Sequence, residues 1–368
     1  MTTPTEAASR TVAVPPGERA WAGLSVGPHT GALVLVVVAA LIAVFGPGGL
    51  MNVAITATIY AIAAQGLSVL AGPVKVVSLG ASAFVGIGAF VAAYLVVASG
   101  LDLVVALVLA MAACGLIGLV IAPIASKVSG IQIAVITVGL AYLAQHIFRI
   151  ATPWTGGLNG IELLNVSVAG IDVNSAVGIG GVSIPSDTFF FLLCVLILII
   201  SSVATTNLLR SRTGRAMRMT GTSPLGARSF GINPGRQRAV AFVYAAVLGG
   251  LCGGLLAVRQ SHVSWDQFGM EMSINLIAVV VLGGVGSVYG AVAGSAVVYA
   301  LPELIKAIAG GLPFVATGGQ TTGVTPDQLT AVIYGLLLVL VMIVEPGGMA
   351  AIAARNVARL RSVSEVRK

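Results

Sequence analysis

Charge is what this chain has least of. Its 368 residues include only 19 Lys and Arg and 12 Asp and Glu, or 8% charged residues, against about 25% in ordinary soluble domains. A soluble globule of this length needs charged surface to stay dispersed, so the composition excludes a cytosolic enzyme. With 57% hydrophobic residues the chain is no disordered protein either. Cysteine is scarce: Cys114, Cys194 and Cys252 all lie in apolar runs. An odd number at such sites reads as thiols packed as small hydrophobes, not a disulfide framework. No CxxC or His/Cys pairing suggests a metal, and no cofactor is expected. There is no GxxxxGK[ST] phosphate loop, so ATP hydrolysis by that route is excluded.

What remains is a succession of apolar runs. A membrane span needs about 20 mostly apolar residues, and ten candidates appear: His29–Phe45, Leu50–Gly72, Ser78–Val97, Leu103–Ile124, Ile131–Ile150, Thr188–Thr206, Ala239–Val258, Gly269–Gly284, Val285–Ile308 and Gln328–Val344. The eighth is the weakest, because Gly283-Gly284 interrupts a short apolar core. Backbone in lipid must satisfy its own polar groups, so the fold class is an all-α, polytopic membrane bundle of about ten helices.

Basic residues set the orientation. If the N-terminus is cytosolic, 16 of the 19 fall on the inner side, seven of them between Asn207 and Arg238, where no acid occurs. This is the positive-inside pattern, so the net +7 is juxtamembrane charge and nucleic acid is not a partner. The expected organisation is a cytosolic N-terminal tail (1–28), a transmembrane domain (29–345) and a basic cytosolic C-terminal tail (346–368). Within the domain lie an outer loop (151–187) and an inner loop (207–238).

The inner loop carries the main motif. Ser223-Pro224 makes an N-cap and first-turn pair, and Gly231 a C-terminal helix stop. That punctuation predicts a short surface helix suited to a groove on another protein. Contact with anionic membrane lipid, worth about 1 kcal/mol per basic residue, is the plainer reading. Gly286, Gly290 and Gly294, spaced by four, and Gly86 with Gly88 read as small-residue surfaces for close helix packing. Polar residues within spans are few. Gln65, Gln145 and Asn275 are candidates either for bonds between helices or for lining a pathway.

The stretch Gly214–Asn233 resembles the cytoplasmic coupling loop of the branched-chain amino-acid (LivM-type) permeases of ABC importers. Gly214-Arg215-Ala216 with Arg218 and the close Ala227, Gly231-Ile232-Asn233 carry the resemblance. It extends through Ser78-Leu-Gly80, Thr155-Gly-Gly-Leu-Asn-Gly-Ile161, His262-Val263-Ser264 and Val281–Gly290, covering about residues 50 to 305. The family usually has an acidic residue near the start of the coupling helix. This chain reads Thr222-Ser223-Pro224-Leu225 there.

The resemblance implies a permease subunit in the plasma membrane, itself no enzyme, for branched-chain or related hydrophobic amino acids. Its implied partners are cytosolic ABC ATPase subunits, a second permease subunit and an extracytoplasmic solute-binding protein. The coupling loop (Gly214, Arg215, Arg218, Ser223, Pro224, Ala227, Gly231, Ile232, Asn233) would meet the ATPases, with Ala227 facing their groove. An ion-coupled secondary transporter or channel for a small polar solute is the alternative. Carriers of that class commonly keep an ionisable residue at depth, and the sequence places none at a span centre.

Overall fold

A computed structural model of the protein describes residues 48–127, 131–163, 166–168, 171–172, 177–179 and 182–309, with scattered positions between 328 and 350. Helices α1 (Gly48–Ala71), α2 (Ala81–Ser99), α3 (Leu103–Lys127) and α4 (Ile131–Ile150) come first. A single turn, α5 (Thr152–Thr155), leads into a segment with short strands, then α6 (Ser186–Arg210). Two polar helices follow, α7 (Arg212–Thr222) and α8 (Pro224–Ser229), then α9 (Pro234–Gln260), α10 (Met270–Gly283) and α11 (Val288–Ala309).

Seven of these helices, α1–α4, α6, α9 and α11, are long and apolar enough to cross a membrane. They coincide with seven of the ten expected spans. The eighth expectation becomes α10, a helix of only 14 residues. The first falls outside the described residues, and the tenth is described only at scattered positions such as Gln328, Val332 and Leu336. The two terminal tails likewise lie outside them, save a few positions near 350.

Helix α9 is the axis of the bundle and packs on α1, α2 and α3. Lipid is as apolar as leucine, so helices associate in it by close contact. Here glycine permits that contact. A Cβ at Gly88 of α2 would meet the carbonyl of Gly250 on α9, and one at Gly253 would meet that of Val85. Gly250 in turn lies against Cys114 of α3. Burial reflects this: 72%, 67% and 67% of the most apolar windows of α1, α2 and α9 are buried, against 28% for α3 and α4. The exposed Leu116, Leu119, Val120, Leu143 and Ile147 form an apolar outer face on α3 and α4.

The expected glycine series at 286, 290 and 294 divides. Helix α11 begins only at Val288, so Gly286 is not on its face. It sits in the preceding turn at φ +84, where its Cα lies against Gly72. Gly290 and Gly294 do lie on the helix, against Gly283 and Val279 of α10. Gly86 lies beneath Phe148 and Phe268.

The segment after α5 is not wholly irregular. Three two-stranded antiparallel ladders form: β1 (Ile161–Glu162) with β6 (His262–Val263), β2 (Ser167–Val168) with β3 (Ile171–Asp172), and β4 (Val177–Ile179) with β5 (Val182–Ile184). None forms a closed sheet.

Candidate functional site

The two ends of the bundle gather the motif residues. At the strand-bearing end, Thr155-Gly-Gly-Leu-Asn-Gly-Ile161 and His262-Val263-Ser264 meet across the β1–β6 ladder, Ile161 opposite Val263. Leu163 N–H donates to the Ser261 carbonyl at 2.8 Å and extends the pairing. The glycines are there because the loop doubles back tightly. Gly156 and Gly160 have φ +72 and +71, and a Cβ on either would run into a carbonyl, of Gly160 and Val263 respectively. Below this cap, Phe268 meets Phe90 and Phe148 edge to face at 5.8 and 6.2 Å between centroids, and Phe90 and Phe148 pack tilted at 4.9 Å. The Arg149 guanidinium lies 5.4 Å over the Trp265 ring, a cation–π contact.

The other end is rich in arginine. Helix α6 runs into α7 through Ser211, whose Oγ accepts from Gly214 N–H at 3.2 Å. Two arginines fix this elbow: Arg215 Nη1 donates to the Arg210 carbonyl at 3.0 Å, and Arg218 Nη2 to the Leu209 carbonyl at 2.9 Å. Cations at a helix C-terminus complement its dipole and satisfy its last carbonyls. Gly214, Met217 and Thr220 form the buried face of α7.

Helix α8 is capped as its punctuation predicts. Ser223 Oγ accepts from Gly226 N–H at 3.1 Å, with Pro224 in the first turn. At the far end Gly231 has φ +73. Gly231 N–H donates to the Arg228 carbonyl at 3.0 Å and Ile232 N–H to that of Ala227 at 2.9 Å. This pair of bonds is the Schellman close. Asn233 then caps α9, accepting from Gly235 and Arg236 N–H.

The orientation of α8 differs from expectation. Ala227 is fully buried against its own chain. The residues that project are Leu225 and Phe230, 76% and 74% exposed. Helix α9, at 27 residues, makes about 40 Å at 1.5 Å each, roughly 10 Å more than a hydrocarbon core. Its polar start Pro234–Arg238 supplies about 7.5 Å of that excess. The signal missed in the sequence was two large apolar residues inside an arginine-rich, acid-free loop.

The three polar pathway candidates are not brought together. Gln65 is fully buried: its Nε2 donates to Ser202 Oγ at 2.6 Å and its Oε1 accepts from Ser201 Oγ at 3.0 Å. Both ends of the amide therefore bind α1 to α6. Thr205 continues this ladder to the Tyr244 hydroxyl of α9 at 2.7 Å. Gln145, on α4, lies beside Gly269, and Asn275 is half-buried on α10.

The comparisons with known proteins agree with this architecture. The family model described as "Branched-chain amino acid transport system / permease component" matches residues 49–342. The high-affinity branched-chain amino acid transport system permease proteins LivM of Salmonella typhimurium and Escherichia coli are each 27% identical over 314 residues, covering 82% of this chain and 70% of theirs. No solved structure matches. With four-fifths of its length matched, from α1 through α11 and beyond, the chain belongs to the family of branched-chain amino acid transport system permease components.

Proposed function

We propose that this membrane permease forms part of the pathway by which an ATP-driven importer takes up branched-chain or related hydrophobic amino acids. The arginine-rich end lies in the cytosol and α8 docks on an ATPase subunit. A second permease completes the pathway, and a solute-binding protein delivers its cargo to the strand-bearing end. One observation carries the docking reading: Leu225 and Phe230 are 76% and 74% exposed on a helix capped at both ends. Exposed apolar side chains rimmed by polar residues mark surfaces that another protein covers. Arg228 and Arg236, exposed nearby, suit a partner groove with an acidic rim, which fits the absence of acid in this chain's own loop.

The permease carries no chemistry of its own in this reading. It supplies a bundle whose helices shift when the ATPases close. The test is uptake of labelled leucine into proteoliposomes holding the assembled transporter. Uptake is expected to require ATP, the binding protein and both ATPases. Robust leucine uptake by this chain alone under an imposed proton gradient would overturn the reading in favour of a secondary carrier.

A further inference from the structure

Between α1 and α2 the chain runs as a non-helical connector, residues 73–80. Its position is unusual for irregular backbone. Leu79 N–H donates to Thr137 Oγ1 at 2.9 Å, and a Cβ at Gly80 would meet the Thr137 carbonyl. Thr137 lies six residues into α4, about 9 Å along its axis. The connector thus re-enters the bundle before α2 begins. Helix α2 then starts among buried residues, where Ser82 N–H donates to Ser273 Oγ of α10 at 3.0 Å and the two hydroxyls bond at 2.8 Å.

The other end of the connector touches the arginine-rich segment. Gly221, near the end of α7, is so close to Pro73 that a Cβ would collide with the Pro73 carbonyl. Such approaches need glycine. Gly221 therefore joins α7, which runs into α8, to a strip of chain ending at the buried start of α2. A small cavity lies behind the connector, lined by Ser78 and Ala81 with Leu70, Phe84, Phe242 and Gly249.

We propose that the Gly221–Pro73 contact is a transmission point. A displacement of α7 and α8 pushes connector 73–80, and the connector repositions the start of α2 against α10. Gly221 is a positioning residue: it touches neither solute nor nucleotide and acts through Pro73. Movement passes through packed backbone here, as small shifts between rigid elements do. The inference rests on the proposed docking of α8 to an ATPase.

The experiment uses the assembled transporter in proteoliposomes, with uptake and ATP hydrolysis measured on the same sample. Gly221→Ala is expected to raise the ATP consumed per solute imported at least fivefold, because docking still stimulates hydrolysis while the push is misdirected. Gly115→Ala, at the α3–α9 contact with Val247, is the packing control and should leave the ratio unchanged. An unchanged ratio in Gly221→Ala overturns the proposal, whatever the absolute rates.

A second measurement leaves Gly221 intact. Val77 on the connector is 51% exposed and all three native cysteines are buried, so Val77→Cys gives one reactive thiol. Its maleimide labelling rate should change at least threefold between the nucleotide-free complex and the complex trapped with ATP and vanadate. An identical rate in the two states overturns the proposal. The double variant Leu225→Ala/Phe230→Ala separates the two readings. If it keeps full stimulated hydrolysis, the docking reading fails. If it loses hydrolysis while Gly221→Ala keeps the normal ratio, only the transmission point fails.

Discussion

The two ends of the bundle use glycine with positive φ in opposite ways. At the strand-bearing end, Gly160 (φ +71) is hemmed in by the Val263 carbonyl, so it is needed for both conformation and space. At the arginine-rich end, Gly231 (φ +73) has nothing within 4 Å of a Cβ position. One end is closed by backbone against backbone. The other is held by caps and guanidinium groups, and leaves Leu225 and Phe230 uncovered. The strand-bearing end also shows large apolar side chains, Trp154 and Leu158 at 70% and 66% exposed, so the two ends differ in how their glycines are held and not in whether they display apolar surface.

Substitutions can break or sharpen this contrast. The largest effect is expected for Gly160→Val, which adds both left-handed strain and overlap with the β6 carbonyl. Loss of more than about 3 kcal/mol is expected, since overpacking alone costs about 1–3 kcal/mol and a β-branched side chain is strained at positive φ. Thermal unfolding in detergent measures it, and a wild-type midpoint would refute the account of this cap. Next comes Leu225→Ala/Phe230→Ala. Stability should change by less than about 0.5 kcal/mol, as for other exposed positions. Solute-stimulated hydrolysis by the assembled transporter should fall at least tenfold, or about 1.4 kcal/mol.

Gly231→Ala tests conformation without crowding, and a cost of about 1 kcal/mol is expected. If it proves as damaging as Gly160→Val, the claim that this end is open is wrong. The smallest effect belongs to Ser223→Ala, which removes one cap bond. The expected loss is about 0.5 kcal/mol, the low end for a lost cap, seen as faster amide exchange confined to Gly226 and its neighbours. Global exchange changes would contradict a purely local cap.

Much of the fold was legible because apolar runs separated by polar punctuation survive without knowledge of neighbours. Leu103 and Ile131–Ile150 are helix limits in both the sequence and the structure, and the Ser-Pro…Gly frame of α8 carries its own hydrogen-bonding logic. The facing of α8 was not legible. Six residues are too few for a periodicity to show which of Ala227 and Leu225 turns inward, and only the contact with α7 and α9 decides. Gln65 and Ser273 show another limit. Their partners are 137 and 191 residues away, and a lone polar residue in an apolar run gives no sign of who will bond to it. The glycines at 286, 290 and 294 shared a spacing but not an element, because the helix began two residues later than the spacing implied.

Helix α10 has a consequence for the backbone that flanks it. Fourteen residues span about 21 Å at 1.5 Å per residue, whereas the hydrocarbon layer is about 30 Å thick. Non-helical backbone adjoins both its ends, at Gly269 and at Gly284–Ser287, and such backbone is tolerated at membrane depth where protein or water surrounds it. Helix α10 therefore cannot cross that layer by itself, and the backbone groups of the turns at its two ends have to be met by neighbouring helices or by water.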